Sequence, residues 1–213
     1  LGRSRGLGDV YKRQFVNNQV RKGIGNHTPV LKKPQDVVLF GFGRIGRLIT
    51  RLILEDTGAG ETFSLKAVVV RQSKSEDLFK RAELMRRDSV HGPFKGTIRV
   101  DEKSNTLVMN GNPVKFIYAN NPDEVDYSKH NIEKAILIDN TGVYRDKKGL
   151  SKHLKSKGVS KVLLTAPTKG ELKNIVYGVN HMESSDKDKI LGGASCTTNA
   201  IVPLLKAISE EYG

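Results

Sequence analysis

Three glycines at fixed spacing, wedged between an apolar run and an amphipathic one, constrain this chain more than any other feature. Val37 to Phe40 is uninterruptedly apolar, as expected of a strand buried on both faces of a parallel sheet. Gly41, Gly43 and Gly46 follow at once in Gly-Phe-Gly-Arg-Ile-Gly. Behind them Ile45, Leu48, Ile49, Leu52 and Ile53 recur at helical spacing, up to the breakers Gly58 and Gly60. A second apolar run, Leu65 to Val70, completes a strand, turn, helix, strand unit. A lone glycine pattern of this kind is weak, but here each glycine has a task. Gly41 permits the tight turn, Gly43 lets backbone approach a pyrophosphate, and Gly46 allows the helix to pack close to the strand. The first helical amides, near Arg44 and Ile45, then face the negative charge. A ligand-free glycine turn would not need this flanking strand and helix.

The rest of the chain continues the alternation. A helix is expected from Ser75 to Arg86, opened by Ser73 and Glu76 at capping-box spacing and burying Leu78, Phe79, Ala82 and Met85. Strands are expected at Thr97 to Val100, Thr106 to Met109 and Val114 to Tyr118, with Asn110-Gly111-Asn112 as a hairpin turn between the last two. Further strands are expected at Ala135 to Asp139, Lys161 to Thr165, Asn174 to Val179 and Lys189 to Leu191, with a helix from Lys147 to Lys157. Ile201, Leu204, Leu205, Ile208 and Tyr212 mark one face of a last helix, in which Pro203 is tolerated on the assumption that it falls in the first turns. The order predicts an α/β chain with a Rossmann-type doubly wound, mostly parallel sheet and an antiparallel insertion.

Composition removes other classes. No uncharged apolar run approaches the roughly 18 residues of a membrane helix, so no membrane role is expected. A single cysteine among 213 residues cannot form an internal disulfide, which favours a reducing compartment. The net charge of +13 suggests a polyanion partner until it is located. Residues 1–35 alone carry Arg3, Arg5, Lys12, Arg13, Arg21, Lys22, Lys32 and Lys33 against Asp9. The remaining excess is mild and dispersed, and no nucleic-acid motif accompanies it, so a nucleic-acid partner is not expected. Residues 1–14 read as a non-native scar and 15–35 as a basic linker or extension, with the chain truncated at both ends.

Two positions bear on chemistry. A site selective for NAD usually places Asp or Glu about 20 residues beyond the glycines, at the end of the second strand. Here Val70 is followed by Arg71-Gln72-Ser73, and no carboxylate appears before Glu76. Loss of the acid relieves repulsion of a 2′-phosphate, and Arg71 or Lys74 could pair with it, although Arg71 could equally face solvent. The balance favours NADP, alone or beside NAD. Cys196, between Ser195 and Thr197, falls in the first turn of the last helix, where amides and dipole favour the thiolate. The alternative of a buried, inert cysteine fits poorly with the flanking hydroxyls and with Gly192-Gly193-Ala194.

These residues together resemble phosphorylating glyceraldehyde-3-phosphate dehydrogenase. The likeness is carried by GFGRIGR at 41–47, RDSVHGPFKGT at 87–97, DNTGVYRD at 139–146, KVLLTAPTKG at 161–170 and ASCTTNA at 194–200. It implies a Rossmann domain over 36–195 and, over 196–213, the start of an α+β catalytic domain. It also implies Cys196 as nucleophile, Ser195 and Thr197 on the phosphate side of the substrate, Arg44 and Ile45 at the pyrophosphate, and Asn120, Thr141, Gly142 and Thr165 along the cofactor cleft. Arg71 departs from the family's ribose-binding Asp, and Ala200 stands where many members have a second cysteine. The implied reaction is phosphorylating oxidation of glyceraldehyde 3-phosphate to 1,3-bisphosphoglycerate through a cysteine thioester, in the cytoplasm, in glycolysis or gluconeogenesis. The implied partners are a sugar phosphate, inorganic phosphate and further copies in a homotetramer. The longer loop Glu55 to Phe63 and the basic leader suggest an extended, divergent member. The family's base is a histidine of the second domain, and His27, His91, His130, His153 and His181 lie outside that motif, so the chain alone is expected to be nearly inactive. His91 reads as structural. Competing readings are an erythrose-4-phosphate dehydrogenase and a non-catalytic dinucleotide and RNA-binding protein.

Overall fold

In the computed structural model, residues 33–55, 62–71 and 77–213 are described. In chain order the elements are β1 (Gln35–Phe40), α1 (Arg44–Glu55), β2 (Phe63–Val70), α2 (Asp77–Arg86), β3 (Arg87–Asp88), β4 (Gly92–Pro93), β5 (Ile98–Asp101), β6 (Thr106–Met109) and β7 (Asn112–Tyr118). They continue with β8 (Ala135–Asp139), α3 (Lys147–Leu154), β9 (Val159–Leu164), β10 (Ile190–Gly192) and α4 (Cys196–Tyr212).

The apolar run of β1 is unbroken because both of its faces are covered. Val37 and Leu39 join Val68 and Val70 of β2 in one core, with Leu54 of α1 and Leu78, Ala82 and Met85 of α2. Val38 and Phe40 join Ala67, Val69, Leu137 of β8 and Leu150 of α3 in a second core on the other face. Each fully buried Val or Leu contributes about 1.5–3 kcal/mol, so these side chains fix the register of the central strands and leave little freedom to slip.

Eight strands form one sheet in the order β10-β9-β8-β1-β2-β7-β6-β5. Pairing is parallel from β10 through β7, while β6 pairs antiparallel with both β7 and β5. The β6–β7 turn places Asn110 at φ 48° and Gly111 at φ 80°, the left-handed pair a two-residue hairpin needs. The chain runs outward from β1 to β2 and β7, then returns to β8 on the other side of β1. That reversal opens a crevice beyond the carboxyl ends of β1 and β8, where doubly wound sheets bind ligands.

The structure corrects four expectations. Residues Asn174 to Val179 form no strand; only Asn174 bridges Gly192. Asn180 bends the segment instead, its Oδ1 accepting from the Val176 amide at 2.8 Å and its Nδ2 donating to the Asn174 carbonyl at 3.0 Å, a side-chain competition with the sheet ladder. Phe79 is 45% exposed, flanking the buried stripe of Leu78, Ala82 and Met85 rather than joining it. The helix expected to reach Lys157 ends at Leu154, and Gly158 at φ 97° turns the chain into β9, in a space where a Cβ would lie 2.6 Å from the Ile132 carbonyl. Pro203 is the eighth residue of α4, beyond the first turns; the carbonyl that loses its donor belongs to Asn199, an exposed residue open to solvent. The expected capping pair Ser73 and Glu76, the breakers Gly58 and Gly60, and nearly all of 1–35 lie outside the described residues. No described helix is long and apolar enough to cross a membrane.

Candidate cofactor cleft and active site

The three glycines behave differently in space. Gly41 adopts φ 98° and donates its amide to the Val69 carbonyl at 2.8 Å; a Cβ there would meet Thr141 Cγ2 at 2.9 Å. At Gly46 a Cβ would lie 2.4 Å from the Gly41 carbonyl oxygen, so the head of α1 rests directly on the turn. Gly43 differs, since a Cβ built there meets nothing within 4 Å. The first and third glycines are therefore enclosed by the chain itself, and the second borders open space. That space is a cavity of about 410 Å³ along the carboxyl edge. Its lining includes Gly41, Gly43, Arg71, Asn120 and Thr141, five of the ten residues assigned to a cofactor from sequence.

The other five stand outside that lining. Gly46 packs under it. Arg44 and Ile45 are exposed at the start of α1. Gly142, at φ 64°, borders an adjoining cavity with Arg145 and Lys169. Thr165 is tied into the frame, its amide and hydroxyl donating to the Asp139 carbonyl at 3.0 and 3.1 Å.

Sequence reasoning missed what holds Thr141. Asp139 Oδ1 accepts from the Thr141 amide at 2.7 Å and from its hydroxyl at 2.6 Å, and Asp139 Oδ2 lies 3.0 Å from His153 Nε2. Both partners of that pair are fully buried. Spacing gave no hint, because α3 brings His153 up from fourteen residues away. Tyr127, also buried, has its phenol pushed above the ordinary value by burial, with the charge of Asp139 adding to it.

At the far end of β2 no carboxylate among the described residues lines the cavity, and Arg71 is joined there by Arg81, unremarked in the sequence. Arg81 Nε donates to Asp77 at 2.6 Å and its Nη2 to the Arg71 carbonyl at 3.3 Å. The Tyr118 phenol beside them is raised by burial first and by Asp77 next. Asn120 is fixed through its backbone, which donates to Glu124 Oε2 at 3.0 Å; hydrogen bonds from Asn121 and Asn120 hold that carboxyl below its usual range.

Cys196 is the first residue of α4 and is exposed. Ser195 is the N-cap, its Oγ accepting from the Thr198 amide at 3.0 Å, and it lies 3.0 Å from the Thr197 hydroxyl. Asn199 Nδ2 donates to the Gly193 and Ser195 carbonyls at 2.7 and 2.9 Å, closing the loop that carries Ala194 at φ 58°. Because β10 runs parallel to β9, Cys196 emerges at the same carboxyl edge as Thr141, though outside the cavity lining. None of the four described histidines is bonded to Cys196, Ser195 or Thr197. His91 lies 3.0 Å from Asp88 Oδ1 in the turn between β3 and β4, and His181 accepts from the Gly178 amide at 3.0 Å. No metal-binding cluster occurs among the described residues.

A family model described as glyceraldehyde 3-phosphate dehydrogenase, NAD binding domain, matches residues 35–147. A glyceraldehyde-3-phosphate dehydrogenase-like protein of Pseudomonas aeruginosa is 53% identical over 199 residues, covering 93% of this chain and 43% of that protein. The glyceraldehyde-3-phosphate dehydrogenases of Zymomonas mobilis and Mycoplasma pneumoniae are 35% and 34% identical over 178 residues, covering 83% of this chain and 50% and 49% of theirs. The chain spans about half the length of these curated relatives or somewhat less.

Proposed function

The chain belongs to the glyceraldehyde-3-phosphate dehydrogenase family and carries its NAD-binding domain, and from that premise we propose that the protein oxidises glyceraldehyde 3-phosphate to 1,3-bisphosphoglycerate. The observation that carries the reading is Gly43, whose missing side chain leaves the cavity open where α1 begins. A pyrophosphate fits there because the amides of the first turn and the positive end of α1 face it. Arg44 and Ile45 would present those amides, while Asn120, Thr141, Gly142 and Thr165 would form the walls on the β7 and β8 sides.

The bound nicotinamide would supply the hydride acceptor, chemistry that no side chain provides. The Cys196 thiolate adds to the aldehyde carbon, giving a hemithioacetal on its own sulfur. Loss of hydride from that carbon and of the hydroxyl proton leaves a thioester on Cys196. Inorganic phosphate then attacks the thioester carbonyl, the thiolate leaves, and the acyl phosphate is released. Ser195 and Thr197 donate hydroxyl hydrogen bonds on the phosphate side. In this reading the protein is a cytoplasmic homotetramer.

A second cofactor is favoured by a specific observation. Arg71 and Arg81 both border the cavity where an NAD-selective site has an acid, so the site takes NADP as well as NAD. The test is the rate of NAD⁺ and of NADP⁺ reduction by the full-length protein with glyceraldehyde 3-phosphate, with and without inorganic phosphate. Phosphate-dependent reduction supports the assignment, and reduction of neither cofactor overturns it.

A further inference from the structure

We propose that His153 is a positioning residue of the cofactor cleft, acting through Asp139 on Thr141. The imidazole sits behind the cleft wall, fully buried, and both of its connections end on residues that line the cavity. In the first, Nε2 donates to Asp139 Oδ2 at 3.0 Å, and Asp139 Oδ1 accepts from the amide and the hydroxyl of Thr141. The hydroxyl hydrogen of Thr141 is thereby committed to Asp139, and its oxygen accepts from the Val143 amide at 3.2 Å. In the second, the ring stands edge-on to Tyr144, centroids 6.0 Å apart, and edge-on to Phe40 at 4.8 Å.

This arrangement does more than fill space. An ionised carboxylate at zero exposure is costly unless each oxygen is satisfied. Asp139 meets that requirement by gripping the Thr141 loop with one oxygen and His153 with the other. Charge-assisted bonds of this kind are shorter and about twice as strong as neutral ones, so the loop is set before any ligand arrives. His153 Nδ1, by contrast, is buried with no partner among the described residues. The imidazole is therefore kept for what Nε2 does, and a residue that donates from the same place should replace it.

That expectation separates positioning from plain packing. His153→Gln can present its amide N–H near the position of Nε2, whereas His153→Leu fills similar volume and donates nothing. Two readouts apply to the full-length protein: hydrogen exchange of the Thr141 amide without ligand, and the dissociation constants of NAD⁺ and NADP⁺ by calorimetry. Loss of one hydrogen bond to a charged group predicts about tenfold faster Thr141 exchange and about tenfold weaker dinucleotide binding in His153→Leu. His153→Gln should stay within about twofold of wild type on both. Equal behaviour of the two variants, or changes that merely follow melting temperature, would overturn the proposal. If His153→Leu does not fold, the wild-type protein decides: the ¹⁵N-labelled Nε2–H resonance of His153 should shift when dinucleotide binds, and an unmoved resonance overturns the proposal. The binding readout rests on the cleft being a dinucleotide site. Failure of wild type to bind either dinucleotide would refute that reading, while the ligand-free Thr141 exchange would still decide the role of His153.

Discussion

Replacing Gly43 by Ala isolates what the open space is for. The added methyl meets no protein atom within 4 Å, and Gly43 is absent from the residues at positive φ, so Ala can adopt its backbone conformation. Two small effects oppose each other in the ligand-free protein. Gly is better than Ala by a few tenths to about 1 kcal/mol at the head of a helix, while reduced freedom of the unfolded chain favours Ala by about 0.4–1 kcal/mol. Unliganded stability should therefore change by less than about 1 kcal/mol. Binding is another matter, because a pyrophosphate approaching this backbone would meet the methyl. Overpacking costs of about 1–3 kcal/mol translate into a dissociation constant raised about 5- to 150-fold. Thermal unfolding without ligand and calorimetric titration with NAD⁺ measure the two terms separately. Unchanged affinity would refute the placement of the ligand, and a loss of more than about 2 kcal/mol without ligand would refute the open space.

Gly46→Ala should show the opposite pattern: a methyl 2.4 Å from the Gly41 carbonyl forces turn and helix apart, costing about 1–3 kcal/mol in the absence of ligand, and unaltered unfolding would contradict the packing. Tyr127→Phe removes a buried hydroxyl that has no partner among the described residues, so stability by denaturant titration should hold or rise by up to about 1 kcal/mol rather than fall. Asp88 is held below its usual pKa, chiefly by the His91 amide, then by the His91 ring and the Val90 amide. A folded-state pKa below the unfolded value near 3.9 contributes stability that is complete above that value and is lost as pH falls through the folded one. The advantage of wild type over Asp88→Asn should thus be constant above about pH 5 and shrink on acidification; an advantage that grows in acid would contradict the assignment.

The glycine signature was legible because its physics is local: Gly41 and Gly46 answer to the turn and the adjacent strand, and Gly43 to the open space between them. The central strands were legible for the same reason, since burial on two faces leaves an unbroken apolar run. Asn174 to Val179 has the composition of a strand, yet one side chain, Asn180, diverts its backbone hydrogen bonds. Phe79 lies at helical spacing from buried neighbours but just off their stripe. In the cleft, Gly41, Gly43, Arg71, Asn120 and Thr141 could be named from motif and resemblance. The support beneath them could not: the link from Asp139 to His153 depends on how α3 docks against the sheet, and Arg81 reaches the cavity only because Asp77 and the Arg71 carbonyl orient it.

The account stands on Cys196 as the acyl carrier beside a dinucleotide cleft. The most direct measurement is mass spectrometry of the full-length protein quenched after mixing with glyceraldehyde 3-phosphate and NAD⁺ without inorganic phosphate. A 3-phosphoglyceroyl thioester on the peptide containing Cys196, discharged when phosphate is added, is the predicted result. Cofactor reduction with no adduct at Cys196, or an adduct that phosphate leaves in place, would contradict it.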